Sequence, residues 1–355
     1  MSSIDSQLAR KILRMRILVT CIAVFVAFIL GSILVLLAGI NPLMALRYLF
    51  SGALGTKHGI GETLTRFVPL FLATMSFAIG MKVHFYNVGI EGQIALGSLG
   101  ALLVGIYAVG LPAPIHIFLS LLAAVIFGIL WLGIAGFLKF RFGANELLTT
   151  VMLNYIAVYL MDIIIETVLK DPNSLIDQSQ KIAATAALPR IIAGTTVHLG
   201  LFIAIAVAVV VYYYVWRTPG GYELRAVGAN SKAAMYAGIN PKKMIIIGMI
   251  ISGGLAGLGG GLNLLGYQSR WVSGTFLGYG FDGIGAAVMG QYHPVGMALS
   301  ALLFAIIRVG GGAMQRSVGV PYPLVHALQG IVIIAVIISA YFIEKRSEKM
   351  MKEGQ

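Results

Sequence analysis

Long uncharged apolar runs alternate with short polar segments along almost the whole chain. The first run, 17–40, would form a helix about 36 Å long, which exceeds the roughly 30 Å hydrocarbon core of a bilayer. We therefore predict an all-α polytopic membrane protein with about ten transmembrane helices. The predicted spans are 17–40, 63–81, 88–110, 115–138, 146–168, 197–216, 244–266, 275–290, 295–310 and 323–343.

The spans at 275–290 and 295–310 are expected to be a pair of short helices. The proline and glycine between them break a helix, and one helix over the whole region would be too long for the bilayer.

Composition agrees with a lipid environment. Hydrophobic residues make up 59% of the chain, charged residues make up 11%, and the mean hydropathy is +0.92. A soluble globular protein carries about 25% charged residues, so this chain has too few to cover itself with polar surface. The net charge of +12 comes from basic residues between apolar runs, which is typical of cytoplasmic loops and not of nucleic-acid binding. The single cysteine, Cys21, excludes an intrachain disulfide.

The basic residues also predict the orientation. They concentrate in the amino tail, in the loop 217–243 and in the carboxyl tail. Ten spans, with that loop after the sixth, place all three on the cytoplasmic side of the membrane. Segment 41–62 should then form a short interfacial helix outside. Segment 169–196 becomes a long external loop, which either contacts an external partner or is a solvated connector.

A short motif occurs twice, and the two copies point to an internal repeat. Residues 89–95 and 280–286 both read G-[IF]-[ED]-G-x-x-A. In the predicted topology the first copy opens a span that runs outward and the second opens one that runs inward. Such opposed copies are typical of inverted-topology repeats in transporters, here spans 2–5 and 7–10.

Polar side chains at membrane depth are costly, so they indicate a cavity or a contact between helices. Amides and carboxylates bind hydroxyls and base edges, while aromatic rings stack on planar groups, and the mixture suits an uncharged, partly aromatic solute. Glu91 and Asp282 have an alternative role at helix N-termini, where an acid contributes about 0.3–1 kcal/mol. Asn154 has the alternative of bonding across helices. The candidate substrate-binding residues are Phe85, Asn87, Glu91, Gln93, Asn154, Tyr279 and Asp282.

The glycine-rich run 253–261 contains two overlapping G-x-x-x-G spacings, which favour close packing of helices in lipid. A phosphate-binding loop is excluded because no Lys-Ser/Thr pair follows. The sequence also lacks the Walker A, HExxH, CxxC and Gly-x-Ser-x-Gly patterns. We therefore expect no ATP site of that type, no metal site and no hydrolytic site in this chain.

The loop 217–243 carries the signals of a short helix. Pro-Gly-Gly at 219–221 breaks the sixth span, and Asn230 or Ser231 is placed to cap a helix that ends before Gly238. A compact alanine-rich helix between two spans suits docking into a groove of another protein. An ordinary interfacial loop is the alternative that the residues leave open.

The same loop resembles a known family. Residues 225–239 are similar to the coupling-helix loop of permease subunits of ABC importers, in the branch of simple-sugar, nucleoside and branched-chain amino-acid permeases. Residues 85–93 resemble the signature of the nucleoside subgroup, and 145–155 and 278–284 resemble it too. The resemblance covers most of the chain from about residue 63.

This resemblance implies a single transmembrane permease domain, 1–355, with 217–243 as the cytoplasmic coupling loop. Such a subunit pairs with a second permease, identical or paralogous, and binds two ATPase subunits that use the ATP. It receives solute from an extracytoplasmic solute-binding protein and is not itself an enzyme. The candidate solute-binding residues would lie on or near the translocation path. The residues expected to couple to the ATPase are Arg225, Asn230, Ala233, Ala234 and Gly238.

The implied solute is a nucleoside, and a ribose-like simple sugar is the alternative within the family. Outside the family, an ion-coupled secondary transporter would also show inverted repeats and buried acids. A channel is the third alternative, and it would show flux without any energy source.

Overall fold

The computed structural model describes residues 19, 22–275 and 277–353, without the side chains of 322 and 340–353. These residues are predominantly helical, which confirms the predicted all-α class. The helices are α1 (Ile22–Leu37), α2 (Pro42–Leu54), α3 (Lys57–Lys82), α4 (Ile90–Tyr107), α5 (Ala113–Phe142), α6 (Glu146–Thr167), α7 (Gly200–Arg217), α8 (Pro219–Ala229), α9 (Ser231–Tyr236), α10 (Pro241–Asn263), α11 (Tyr279–Met289), α12 (Pro294–Val318) and α13 (Tyr322–Glu353).

Seven helices of the described residues are long and apolar enough to cross a membrane: α3 to α7, α10 and α12. The apolar parts of α1 and α13 are shorter and match the first and last predicted spans. The start of the first span and the basic amino tail lie outside the described residues. A π-helical turn, Leu264–Gln268, extends α10. These helices agree with a multi-pass membrane protein.

The predicted pair of short spans is partly wrong. The break between them is confirmed, because Gln291 and Tyr292 adopt positive φ angles of 51° and 55°, and Pro294 starts the next helix. However, α12 has 25 residues and is a full span, whereas α11 has 11 residues and is about 16 Å long. The predicted span 275–290 is therefore a half-membrane helix.

The centre of the fold is α10, which packs against α3, α4 and α5. Its glycines allow this, because a Cβ at Gly257 would clash with the backbone of Ala124, and one at Gly260 would clash with the backbone of Ile94. The close-packing prediction for the glycine run is thus confirmed. Gly128 of α5 meets Gly253 in the same way, so the two backbones approach without intervening side chains.

Residues 57–305 form one compact unit, which contains α3 to α11 and the start of α12. The described residues of 1–56 and 306–355 form a second unit. Within the second unit small residues again set the packing, since a Cβ at Gly310 would clash with Leu49. The helix predicted within 41–62 is present as α2, capped by Asn41, and its interfacial position stays a prediction.

Segment 169–196 is anchored to the chain that follows α10. Backbone N–H groups of Ser179, Ile182 and Leu188 donate to carbonyls within 265–271, at 2.8–3.0 Å. Trp271 is buried, and its backbone N–H donates to Ser179 Oγ of this segment at 2.9 Å. The segment therefore packs against the protein along much of its length, and only part of it has the character of a solvated connector.

Candidate functional site

The two copies of the repeated motif start two helices whose N-termini touch. Glu91 lies in the first turn of α4, and its carboxylate accepts hydrogen bonds from the backbone N–H groups of Gly278 and Gly280, at 2.6 and 2.7 Å. Those amides belong to the N-terminus of α11, where unpaired N–H groups carry partial positive charge. Glu91 therefore caps the helix of the other copy. The alternative that Glu91 caps a helix is confirmed, but the helix that it caps is α11 and not its own helix, α4.

The two helices run in opposite directions from this meeting point. Along α11, Tyr279 bonds to Arg66 and Gly283 lies against Ala73, so α11 runs parallel to α3. In contrast, α4 is antiparallel to α5, because the ring of His116 bonds to the carbonyl of Val104. The C-terminal ends of α3 and α5 lie together, since Lys139 Nζ is 5.1 Å from the ring centroid of Phe85, three residues after α3.

Consequently α3 and α5 are parallel, and α4 and α11 are opposed. The prediction of oppositely directed helices at the repeated motif is confirmed. Helix N-termini that meet where transmembrane helices are interrupted are typical of solute sites in transporters.

A buried amide network fixes the non-helical segment 83–89 that leads into α4. Asn87 Nδ2 donates to Gln93 Oε1 at 3.0 Å and to Ser252 Oγ at 2.9 Å, and Gln93 Nε2 donates back to Asn87 Oδ1 at 2.8 Å. Asn154 accepts from Gly92 N–H at 2.8 Å and donates to the carbonyl of Val88 at 2.9 Å. The interhelical role considered for Asn154 is confirmed.

All seven candidate substrate-binding residues are buried. Phe85 packs in an apolar cluster with Leu132 and Leu153, and Tyr279 receives a hydrogen bond from Arg66. The structure thus brings these residues together around the start of α4 and the start of α11. They build the frame of the site, and their contact with solute stays a prediction.

A further polar cluster lies beside the frame and was not predicted from the sequence. The guanidinium of Arg66 donates to the hydroxyls of Tyr267 and Tyr279 at 2.9 Å, stacks 4.2 Å from the Tyr267 ring centroid and lies 3.5 Å from Glu62. The available signal was an arginine within the predicted span 63–81, since a charge at that depth is rare without a function. Next to the frame, Phe281 is 40% exposed.

The loop 217–243 contains two helices. Thr218 caps α8, and Asn230 Oδ1 accepts hydrogen bonds from the N–H groups of Lys232 and Ala233 at the start of α9. Gly238 adopts φ of 83° two residues after the last residue of α9, a conformation that favours glycine. The predicted short helix, its cap and its end before Gly238 are therefore confirmed.

Only part of α9 is available to a partner. Ala234 is buried against Val227 and Met244, so its side chain holds α9 on the protein. Met235 and Tyr236 are exposed, the latter at 89%, and Ala233 is exposed beside them.

Two of the other residues predicted to couple to the ATPase, Asn230 and Gly238, shape the ends of α9. Arg225 places its guanidinium 4.5 Å from the ring centroid of Trp216. A coupling role for these residues stays a prediction.

Comparison with known proteins agrees with this geometry. The chain is 35% identical to a guanosine ABC transporter permease protein of Bacillus subtilis, over 95% of this chain and 97% of the relative. It is 33% identical to a nucleoside ABC transporter permease protein of Lactococcus lactis, over 96% and 98%. It is 31% identical to a glucose ABC transporter permease protein of Haloferax volcanii, over 90% and 87%.

The relatives are membrane subunits of ATP-driven transporters, so they favour this class over an ion-coupled transporter or a channel. The family in general works with an ATPase and a solute-binding protein. A family model described as the permease component of branched-chain amino acid transport systems matches residues 59–338, and the chain belongs to this permease family.

Proposed function

We propose that this chain is the membrane subunit of an ATP-driven importer of nucleosides. The observation that carries the proposal is the near full-length similarity to permeases named for guanosine and for nucleosides. In this proposal a second permease, identical or paralogous, completes the pore, and a solute-binding protein delivers the nucleoside from outside. Two ATPase subunits bind and hydrolyse the ATP on the cytoplasmic side, where both termini and the loop 217–243 also lie. This chain itself binds no cofactor and catalyses no reaction.

The nucleoside path is proposed to pass the meeting point of α4 and α11. Here Phe281 offers a half-exposed aromatic face at membrane depth, and a base stacks on such a face with about 1–3 kcal/mol. The hydroxyl of Tyr267 and the guanidinium of Arg66 offer polar contacts for a ribose. Glu62 lies 3.5 Å from Arg66, so the cluster has little uncompensated charge, which suits an uncharged solute.

The seven buried residues predicted from the sequence have a complementary role in this proposal. They hold both helix N-termini at the path, because Glu91 fixes α11 and the amide network fixes α4. A solute hydroxyl that approaches the N-termini would meet these groups directly or through a small movement of the frame.

The solute is tested in proteoliposomes that hold the permease pair, its ATPase and its binding protein. We expect uptake of radiolabelled guanosine, adenosine or cytidine that depends on internal ATP. Unlabelled nucleosides should compete, and glucose and ribose should not. Uptake by the permease alone under an ion gradient would refute the ATP-driven proposal.

A simple-sugar importer is the second candidate, because the glucose permease of Haloferax volcanii is also similar over most of the chain. Its distinguishing outcome is ATP-dependent uptake of a free sugar that nucleosides do not inhibit. In that case substitution of Phe281 should have a smaller effect, since a sugar packs only its C–H face on an aromatic ring and has no base to stack.

The ATPase-docking role is tested on the exposed face of α9. Tyr236→Asp should prevent co-purification of the ATPase with the permease, because the exposed ring would be replaced by a charge in the contact. Lys232→Ala, an exposed change on the same helix, is the matched control. Ala234→Asp is a less direct test, because a buried carboxylate would detach α9 from Val227 and Met244. Normal recovery of the ATPase with Tyr236→Asp would contradict docking through this face.

A further inference from the structure

An apolar groove opens between α3, α7 and the start of α12. The space between its walls, counted out into the open solvent at its mouth, is about 440 Å³. Phe71, Met75 and Ile79 form one wall from α3, Trp216 contributes from α7, and Met297 lies on the third side. The groove therefore follows the inner half of α3 and ends at Lys82, the last residue of that helix.

Two cations lie at this end of the groove around one indole ring. Lys82 Nζ is 5.4 Å from the ring centroid of Trp216, and the guanidinium of Arg225 is 4.5 Å from it. In the described part of the chain, neither cation has a carboxylate within ion-pair distance. By contrast, Lys139, at the same end of the neighbouring α5, is paired with Glu146 at 2.7 Å. The groove thus combines an apolar channel with positive charge that the described chain does not neutralise.

We propose that this groove holds one acyl chain of an anionic phospholipid, with its phosphate at Lys82 and Arg225. The distance along α3 from Phe71 to Lys82 is about 16 Å, which matches one leaflet of a hydrocarbon core roughly 30 Å thick. Basic pockets between transmembrane helices are suited to anionic headgroups. The acyl chain packs against the apolar walls of the groove, and the phosphate supplies the negative charge that pairs with Lys82 and Arg225.

The open side of the groove adjoins an exposed apolar surface of α7. Beyond the groove, α7 presents a continuous exposed apolar surface that includes Phe202, Val209, Val210 and Tyr213. In the 57–305 unit of a membrane protein, an exposed apolar helix surface of this kind is suited to contact with lipid. Lipid can therefore enter the groove from the side.

Bound lipid would act on the loop 217–243, because Arg225 lies on α8 and Gly228 of the same helix is in contact with the backbone of Lys82. A phosphate that bridges the two cations joins α3 to α8 and braces the loop. The proposal depends on the importer function only in assigning this end to the cytoplasmic leaflet. Lipid binding itself is measurable without transport.

The experiment uses the permease assembly in phosphatidylcholine vesicles that contain increasing fractions of dibrominated phosphatidylglycerol. Bromine quenches tryptophan fluorescence on contact. The quenching that is lost in Trp216→Phe is the part that arises from lipid in the groove. Dibrominated phosphatidylcholine at equal fractions is the comparison. We expect dibrominated phosphatidylglycerol to bind in the groove at least about fivefold more tightly than dibrominated phosphatidylcholine, since one basic residue near a membrane surface contributes about 1 kcal/mol.

Two pairs of variants test the cations and the groove separately. Lys82→Gln with Arg225→Gln should reduce the preference to near equality, while Lys232→Gln on the exposed face of α9 should leave it unchanged. Ala208→Phe should fill the groove and abolish Trp216 quenching by both lipids. Val210→Phe, on the exposed side of the same helix, should not.

Equal quenching by both lipids in the unchanged protein would overturn the proposal. So would a full preference in the double-glutamine variant, or in a folded Ala208→Phe variant. If Ala208→Phe prevents assembly of the permease pair and lipid quenching persists, the groove belongs to a protein interface and the lipid site is refuted. The quenching measurement needs neither the ATPase nor a solute. A failed transport assay would therefore not change the conclusion about lipid binding.

Discussion

Replacement of Glu91 by glutamine tests the link between the two repeated motifs. The carboxylate accepts two hydrogen bonds from the N-terminus of α11, and a glutamine has only one acceptor oxygen. The amide nitrogen would point its own hydrogens at the second N–H group, which becomes an unsatisfied buried donor. Such a donor costs about 1–3 kcal/mol, and loss of the charge at the helix dipole adds about 0.3–1 kcal/mol. The expected cost of Glu91→Gln is therefore about 1–4 kcal/mol.

The assay is thermal unfolding of the purified permease together with uptake in the reconstituted importer. A cost of this size should lower the midpoint temperature by roughly 3–16 °C, since each kcal/mol shifts a unit of this length by about 2–4 °C. Glu62→Gln, in the half-buried Arg66 cluster, is the matched control. It should lower the midpoint temperature less, because the 3.5 Å contact between Glu62 and Arg66 is longer and more hydrated than the bonds of Glu91. Uptake should show a lower maximal rate with an unchanged KM, since the frame is weakened and the solute contacts remain.

The opposite pattern would refute this reasoning. If Glu91→Gln raises KM severalfold and leaves the midpoint temperature unchanged, the carboxylate acts on solute and its bonds to Gly278 and Gly280 contribute little. The substrate-binding prediction for Glu91 would then stand in its original form.

Three further changes have defined outcomes. Phe281→Ala should raise the KM for nucleosides between about fivefold and 150-fold through loss of about 1–3 kcal/mol of stacking, and Phe281→Tyr, which keeps the ring, should not. Gly257→Val should prevent folding of the 57–305 unit, seen as aggregation in size-exclusion chromatography, because its side chain would be forced into the backbone of Ala124, whereas Gly133→Val meets open space and should fold. His198 precedes α7, and burial lowers its pKa from 6.5 to about 4. As the pH falls from about 6.5 to about 4, His198 takes up a proton in the unfolded chain but stays neutral in the folded protein. Its contribution to the free energy of unfolding should therefore fall by about 3 kcal/mol across that window. Chemical unfolding of His198→Phe should show a weaker fall, and an equal fall would contradict the assignment.

The sequence by itself determined the class of the protein and the positions of most helices. Low charge and long apolar runs require lipid as the solvent, and this holds whatever the tertiary packing. The glycine spacings in 253–261 predicted close packing, and the cap at Asn230 predicted α9, because both signals are local. The repeated motif at 89–95 and 280–286 predicted opposed helices, since its orientation follows from counting spans.

Only the tertiary structure decided what the buried polar residues contact. Glu91 and Gly280 are 189 positions apart, and a local signal identifies a helix start without showing which helix a carboxylate caps. Tertiary packing also decided that Ala234 faces inward while Tyr236 faces outward, since a helix of six residues is too short for its apolar face to be read from sequence. Likewise, Lys82 and Arg225 meet at Trp216 only because α3, α7 and α8 converge there. Charge and hydropathy act along the chain and are readable from it, whereas hydrogen-bond partners depend on distances that exist only after folding.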